Sequence, residues 1–302
     1  MPALQAGLDE LDTEAAPERP ADLEARSTLE LVERMNTEDS GVPAAVHAAA
    51  APIAALVEAV AERLRAGGRL IYVGAGSSGR IAALDASECE STFSTAPGTV
   101  VALVAGGVAA PPLVQEAAED DREAGSADIA ALNVDEADVV VGVSASGRTP
   151  YTVAALEAAL AAGALTACVV SARSSELERL SGHSIVVRVG PEFLAGSTRL
   201  KAGTAQKLVL NTVSTLSMVR LGKTYGTLMV DVAATNEKLR ARVRRIVRTA
   251  TGASPEEVDQ ALAAADGNAK VAIVSLLAGV DAEQARGRLE AAEQSIAKAV
   301  RG

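Results

Sequence analysis

The chain has few aromatic residues, cysteines and histidines, and each scarcity excludes a class of function. Phe, Tyr and Trp make up 2% of the 302 residues and Trp does not occur, so neither a base-stacking platform nor a stacking sugar surface is expected. Two cysteines, Cys89 and Cys168, indicate a reduced cytoplasmic protein rather than a disulfide framework. Two histidines, with no C-x-x-C or H-x-x-x-H spacing, predict no metal site.

Basic residues are also too few to balance the acidic ones. The formal net charge is -11, which argues against nucleic acid or an anionic membrane as the main partner. A small anionic ligand remains compatible, because its site needs only local donors. No apolar stretch approaches the length of a membrane span, and the acidic, proline-containing segment 1–26 is predicted to be a flexible tail rather than a signal peptide.

Apolar runs rich in β-forming residues alternate with helical patterns through the middle of the chain. Strands are predicted near residues 69–73, 100–104, 138–143, 165–170 and 184–189. Because these runs lack the alternation of a half-exposed strand, they favour a mainly parallel sheet covered by helices on both faces. The sequence therefore predicts a doubly wound α/β domain, which we place at residues 27–250.

Helices are predicted before and after this sheet. Ser27 and Glu30 fit a capping box, and with the run "IAALVEAVAERLRAGG" they indicate two helices before the first strand. After the fifth strand come a long apolar helix and a basic one, whose arginines we interpret as a solvated face. Ser254 and Glu257 form a second capping box that opens a small three-helix appendage at residues 251–302.

Two segments share one extended pattern. "VGAGSSGRIAALDAS" begins at Val73 and "VGVSASGRTPYTVAALEAA" begins at Val141, and in each a strand is followed by hydroxyl residues, Ser-Gly-Arg and a helix. The start of a helix binds phosphate through backbone N–H groups without needing a lysine. One such loop is typical of an ordinary N-cap, but its repetition favours a shared phosphate site where the strand order switches direction.

The first of these segments only partly matches a dinucleotide fingerprint. Gly74, Gly76 and Gly79 have the G-x-G-x-x-G spacing, yet the second strand ends "VALVAGG" and carries no acidic residue for a ribose. Arg80 stands after Gly79 where a Walker motif would have lysine. We therefore interpret the loop as a phosphate loop and not as a nucleotide motif.

Four long motifs, in order, give the chain a more specific resemblance. "IYVGAGSSGRIAALDASEC", "VVVGVSASGRTPY", "GSTRLKAGTAQKLVLN" and "LMVDVAATNEKL" resemble the bacterial N-acetylmuramic acid 6-phosphate etherases, which have a sugar isomerase (SIS) fold. The resemblance implies a cytoplasmic, cofactor-free, homodimeric carbon–oxygen lyase of cell-wall recycling. It further implies that the products are N-acetylglucosamine 6-phosphate and D-lactate.

The resemblance also assigns residues. The proton-donating glutamate of the family falls on Glu88 and its other active-site glutamate on Glu119, although on sequence alone Glu119 is typical of a solvated acidic face shared with Glu116. Which of the two glutamates removes the C2 proton of the sugar stays open. Lys201 is expected to reach a phosphate or carboxylate of the ligand, with helix capping and a surface position as the alternative. The predicted substrate-binding residues are Ser77, Ser78, Gly79, Ser144, Ser146, Thr149, Ser197 and Lys201.

The sequence departs from the family pattern at three positions. Glu90 and Ser91 replace two prolines that follow the cysteine in the family, and Val108 replaces a glutamate.

Two alternative functions are considered. A phosphosugar aldose-ketose isomerase on the same fold would use a carboxylate at C2 but release no lactate. A non-catalytic sugar-phosphate sensor needs the loops without the acid–base pair, so the presence of Glu88 and Glu119 disfavours it.

Overall fold

A five-stranded parallel sheet organises the first part of the computed structural model, which describes residue 15 and residues 22–109, 117–232 and 237–301. Its strands are β1 (Leu70–Gly74), β2 (Val100–Val104), β3 (Val139–Val143), β4 (Leu165–Val170) and β5 (His183–Val186). All five lie within one or two residues of the strand starts that the sequence predicts. The α/β prediction is therefore confirmed.

The order of the strands creates a switch point. The sheet runs β2-β1-β3-β4-β5, and every neighbouring pair is parallel. The chain passes from β1 outward to β2 and then returns to place β3 on the other side of β1. In open sheets of this kind a crevice forms where the connections diverge, outside the carboxyl ends of the two central strands.

Alternate strand residues enter two separate hydrophobic cores. Leu70 and Tyr72 of β1 belong to one core, whereas Ile71 and Val73 belong to the other. Strand residues point alternately to the two faces of a sheet, so both faces are covered. This explains why the strands are apolar throughout and show no alternation in the sequence.

The helices of this part follow the sequence pattern with one addition. Between residue 22 and β1, three α-helices occur instead of the expected two, because a short helix with Pro43 in its first turn lies between the predicted pair. The Ser27–Glu30 capping box is confirmed. The helices are α1 (Thr28–Asp39), α2 (Val42–Ala48), α3 (Ala50–Arg65), α4 (Gly76–Phe93), α5 (Arg122–Ala131), α6 (Pro150–Ala161), α7 (Glu176–Leu180) and α8 (Lys201–Arg220).

The remainder of the chain is a small hairpin and a set of helices with a core of their own. Among the described residues the predicted appendage has four helices rather than three, because a short helix follows Ser295. The capping box of Ser254 and Glu257 is confirmed. The elements are β6 (Thr224–Tyr225), β7 (Leu228–Met229), α9 (Glu237–Thr251), α10 (Pro255–Ala264), α11 (Ala269–Ala278), α12 (Ala282–Ala291) and α13 (Ile296–Arg301).

Contacts between Cα atoms divide the chain into two compact units. One contains the residues up to Ala86 together with Gly98–Val213, and the other contains Ser87–Pro97 and the residues from Ser214 onward. The domain limits of 27–250 and 251–302 stay a prediction. No single helix in the described ranges is long and apolar enough to cross a bilayer, although two bent helix pairs, Thr28–Ala48 with Ala50–Arg65 and Pro255–Ala264 with Ala269–Ala278, pass by length and composition.

Candidate active site

The two loops with the shared pattern follow neighbouring strands. Gly74 at the end of β1 is paired in register with Val143 at the end of β3. The loops therefore begin side by side at the carboxyl edge of the sheet, at the switch in strand order. The structure brings together the two segments that the sequence pattern predicted to share one site.

The first loop requires glycine because backbone meets backbone there. A Cβ atom at Gly79 would lie 2.7 Å from the carbonyl oxygen of Gly74, a separation that no side chain tolerates. Gly76 has φ +50°, a left-handed conformation that glycine adopts without strain. This close approach lets α4 begin directly after the strand, so Ser77 and Ser78, both half-buried, lie in its first turn.

The second loop has a different conformation despite the matching sequence. Its helix, α6, begins only at Pro150, so residues 144–149 form a true loop. Proline is favoured in a first helical turn, whereas it disfavours a helical conformation in the residue before it. Thr149 accordingly has ψ 115°. The shared pattern thus produces one helix N-terminus and one loop rich in hydroxyl groups.

Ser144 organises this second loop. Its hydroxyl oxygen lies 2.9 Å from the hydroxyl of Thr149 and accepts a hydrogen bond from the N–H of Gly147 at 3.0 Å. Ser144 and Thr149 are both buried. Ser146 is half-buried, and its hydroxyl accepts from the N–H of Arg148 at 3.2 Å. Ser144 therefore shapes the loop, while Ser146 has a more accessible hydroxyl.

Glu119 lies against this second loop. The hydroxyl of Thr149 donates to its carboxylate over 3.5 Å, and the N–H of Tyr151 donates to its carbonyl oxygen at 3.0 Å. Its side chain is half-buried, unlike the exposed Asp120 and Asp121 that follow it. The structure thus separates Glu119 from its acidic neighbours, which the sequence alone did not. Glu116 lies outside the described residues.

Glu88 lies in the second half of α4 and is exposed. The helix continues past it to Phe93, because Glu90 and Ser91 stand where the family has prolines and both residues can be helical. The hydroxyl of Ser91 donates to the carbonyl oxygen of Glu88 at 3.1 Å. Cys89, next to it, is buried, as expected for a residue that packs.

The segment before α8 contains Ser197 and ends at Lys201. Ser197 is half-buried. An ideal Cβ built at Gly203, in the first turn of α8, would lie 3.4 Å from Ile81, so this turn packs on the helix that opens with the first phosphate loop. The assignment of Ser197 to the substrate stays a prediction.

Lys201 has partners within the protein. Its ammonium group forms an ion pair with Glu38 of α1 at 3.2 Å, and the residue is 7% exposed. This buried position does not fit the predicted alternative of a surface lysine. The assignment of Lys201 to the substrate stays a prediction.

Glu192 is a residue that the sequence analysis missed. Its carboxylate accepts the N–H groups of Lys201 and Ala202 at 2.9 and 3.0 Å, and the residue is buried. An internal anion thus occupies the start of α8 and satisfies its first donors. The N–H groups of Lys201 and Ala202 are therefore already bonded within the protein. The sequence gives only a weak indication of this cap, because Glu192 lies nine positions before Lys201, the first residue of the helix.

The fold and the two loops define a protein of the SIS class. A model of the SIS domain matches residues 120–216, and one of the N-terminal SIS domain of glucokinase regulatory protein matches residues 52–160. Proteins named N-acetylmuramic acid 6-phosphate etherase match over nearly the whole chain. The one from Rubrobacter xylanophilus is 57% identical, covering 94% of each chain, and the one from Streptomyces avermitilis is 55% identical, covering 95% of this chain and 93% of its own.

A third relative, from Mycolicibacterium smegmatis, is 52% identical and covers 97% of this chain and 98% of its own. Similarity at this level over the full length extends beyond the sheet into the C-terminal helices. The chain belongs to the N-acetylmuramic acid 6-phosphate etherase family, a family of carbon–oxygen lyases.

Proposed function

We propose that the chain cleaves the lactyl ether of N-acetylmuramic acid 6-phosphate and that Glu88 and Glu119 supply the acid–base chemistry. The observation that carries this proposal is the contact of the Glu119 carboxylate with Thr149, which puts a candidate base beside a phosphosugar loop. Family membership over the full length supports the same substrate.

The chemistry of the substrate explains why two carboxyl groups suffice. An alkyl ether has a poor leaving group, so direct hydrolysis near neutral pH is slow. In the ring-opened sugar, however, the ether at C3 is β to the aldehyde, and removal of the C2 proton expels lactate. Water then adds to C3. This route needs a base, an acid and an anchor for the phosphate, and carboxyl groups in different surroundings can divide the first two roles.

The surroundings of the two glutamates differ in exposure and in hydrogen bonding. Glu119 is half-buried and accepts a hydrogen bond from Thr149, whereas Glu88 is exposed. A carboxyl group surrounded by protein responds to its neighbours more strongly than one in water.

Phosphate binding is assigned to the loops. The first turn of α4 offers backbone N–H groups with the hydroxyls of Ser77 and Ser78, and the second loop offers the hydroxyl of Ser146. A helix N-terminus favours an anion through its unpaired donors and its dipole. Ser144 and Thr149 shape the second loop, Thr149 also contacts Glu119, and both stay predicted substrate-binding residues.

The cellular compartment and the oligomeric state are proposed on separate grounds. We infer a cytoplasmic homodimer, as family resemblance implies. Both cysteines are buried thiols, which suits a reducing compartment. Leu216 and Val219 of α8 are large apolar residues that stay exposed, at 43% and 41%, and a second copy would cover them. Light scattering at micromolar concentration checks the dimer, and a monomer would contradict it.

The direct test is to incubate the purified protein with N-acetylmuramic acid 6-phosphate and measure lactate with an enzymatic assay. Release of lactate together with N-acetylglucosamine 6-phosphate is the expected result. Binding without any chemistry would instead indicate a sensor, and conversion of a phosphosugar to its ketose without lactate would indicate an isomerase.

A further inference from the structure

Tyr151 is joined to the Glu119 segment at both its backbone and its side chain. Its N–H donates to the carbonyl oxygen of Glu119 at 3.0 Å. Its hydroxyl donates to the carboxylate of Asp128 at 2.5 Å, and Asp128 lies on α5, the helix that follows Glu119. Tyr151 itself is fully buried at the start of α6. One residue thus contacts the chain at a candidate catalytic glutamate and again nine residues after it.

A third contact fixes the same place. Gly125 of α5 lies so close to Tyr151 that an ideal Cβ at this glycine would overlap the Tyr151 carbonyl oxygen. The two helices therefore touch backbone to backbone at this point, and α5 cannot slide without breaking the contact. Burial, together with the hydrogen bond to Asp128, raises the pKa of Tyr151, so the hydroxyl keeps its proton and donates throughout the neutral range.

These contacts connect Glu119 to residues 149–151 through both its backbone and its side chain. The segment from Glu119 to Asp128 returns to Tyr151 through the side-chain hydrogen bond, and Thr149, two residues before Tyr151, reaches the Glu119 carboxylate. Backbone position and carboxylate position are thus set by the same short stretch of chain, residues 149–151. A displacement of Asp128 would therefore reach the Glu119 carboxylate through two hydrogen bonds, one between Tyr151 and Asp128 and one between Thr149 and Glu119.

We infer that Tyr151, through its hydrogen bond to Asp128, is a positioning residue that fixes the Glu119 carboxylate against the second phosphate loop. The inference rests on the proposed role of Glu119 in the etherase reaction. Tyr151 does not touch the substrate in this account. Its effect should therefore appear in the chemical step and leave phosphosugar binding unchanged.

Tyr151→Phe removes only the hydroxyl, and Asp128→Ala removes only its acceptor. Each is expected to lower kcat about tenfold or more, since small displacements of a catalytic group are costly, with KM changed less than about twofold. Asp128→Asn keeps an oxygen that accepts from the tyrosine and should restore kcat to within about threefold of the unsubstituted protein. Thermal unfolding of every variant and calorimetry with N-acetylglucosamine 6-phosphate accompany the kinetics.

Glu157→Gln is the matched control. Glu157 is on α6 and forms an exposed ion pair with Arg122 of α5, so its substitution loosens the same helix pair without touching Tyr151. Its kcat should be unchanged. Unchanged kcat in Tyr151→Phe and Asp128→Ala, failure of Asp128→Asn to restore it, or an equal fall in Glu157→Gln would each overturn the inference. Full activity of Glu119→Gln would instead refute the proposed role of Glu119, and the Tyr151 variants cannot produce that result.

Discussion

The hydroxyl of Thr149 lies 3.5 Å from a carboxylate oxygen of Glu119, so the residue that closes the second phosphate loop also contacts one of the two candidate catalytic groups. In the proposed function, one short stretch of chain therefore arranges both binding and chemistry. Because these functions use different atoms, substitutions should be able to separate them.

The first prediction separates substrate binding from the chemical step by substituting the two glutamates. Glu88→Gln and Glu119→Gln should each lower lactate release by at least about a hundredfold, because each removes a group that exchanges a proton. Affinity for N-acetylglucosamine 6-phosphate should stay within about tenfold, since the phosphate is held elsewhere. An enzymatic lactate assay and titration calorimetry measure the two effects. If binding fell as far as the rate, the glutamates would be structural rather than catalytic.

The second prediction addresses the phosphate loops. Ser78→Ala combined with Ser146→Ala removes a hydroxyl donor from each loop and should weaken the affinity for the phosphorylated product about tenfold or more. Ser144 is left intact so that its hydrogen bonds with Thr149 and Gly147 are kept. N-acetylglucosamine without phosphate is the control ligand, and its weak affinity should not change. If the unsubstituted protein bound both sugars equally well, the phosphate-loop assignment would fail.

Much of the fold and part of the site followed from local sequence signals. Strand positions, the capping boxes and the two loops each depend on residues that are close in sequence, such as Ser27 with Glu30. Parallel strands that are buried on both faces leave a continuous apolar run, which is easy to recognise. The neighbouring position of the loops then followed from the order of the strands.

What the sequence did not predict depends on long-range contacts. The pair of Lys201 with Glu38 joins residues 163 positions apart, and nothing in either local pattern indicates it. One difference is local, because Pro150 in the second segment disfavours a helical conformation at Thr149 and the helix begins later there. Glu119 could not be separated from an acidic surface, because its contact with Thr149 joins residues 30 positions apart.

The third prediction concerns the carboxylate at the start of α8. Glu192→Ala leaves the buried N–H groups of Lys201 and Ala202 without their acceptor and should lower the free energy of unfolding by about 1–3 kcal/mol. Glu192→Gln retains one acceptor oxygen and should lose less. Urea denaturation measures both variants. Glu30→Ala, at the exposed capping box of α1, is the control and should lose about 1 kcal/mol or less.

The fourth prediction is a dependence of stability on pH. Asp138, buried before β3, has its pKa lowered; burial alone would raise it, but hydrogen bonds from Arg69 and from the N–H of Asp135, with the charge of Arg69, outweigh burial. A carboxyl group with a lowered folded pKa stabilises the protein above its unfolded pKa of about 4, and this stability is lost as pH falls through the folded pKa. Between pH 6 and acid, Asp138→Asn should therefore lose less stability than the unsubstituted protein.

Denaturation at a series of pH values tests this comparison. Asp259→Asn, which breaks the exposed ion pair with Arg244, is the control and should follow the unsubstituted protein closely. Parallel pH curves for Asp138→Asn and the unsubstituted protein would mean that Asp138 does not titrate differently in the two states.

The last prediction distinguishes the proposed elimination at C2 and C3 of the sugar from a displacement at the lactyl carbon. If the C2 proton leaves and water returns to C3, reaction in heavy water must place deuterium at C2 of N-acetylglucosamine 6-phosphate, and water labelled with heavy oxygen must deliver its label to C3. Lactate then keeps the original ether oxygen. Displacement at the lactyl carbon would put the label into lactate and leave the hydrogen at C2 untouched, and it would need no base directed at C2. Mass spectrometry of the two products separates the routes, because unlabelled sugar beside labelled lactate is incompatible with roles for Glu88 and Glu119 at C2.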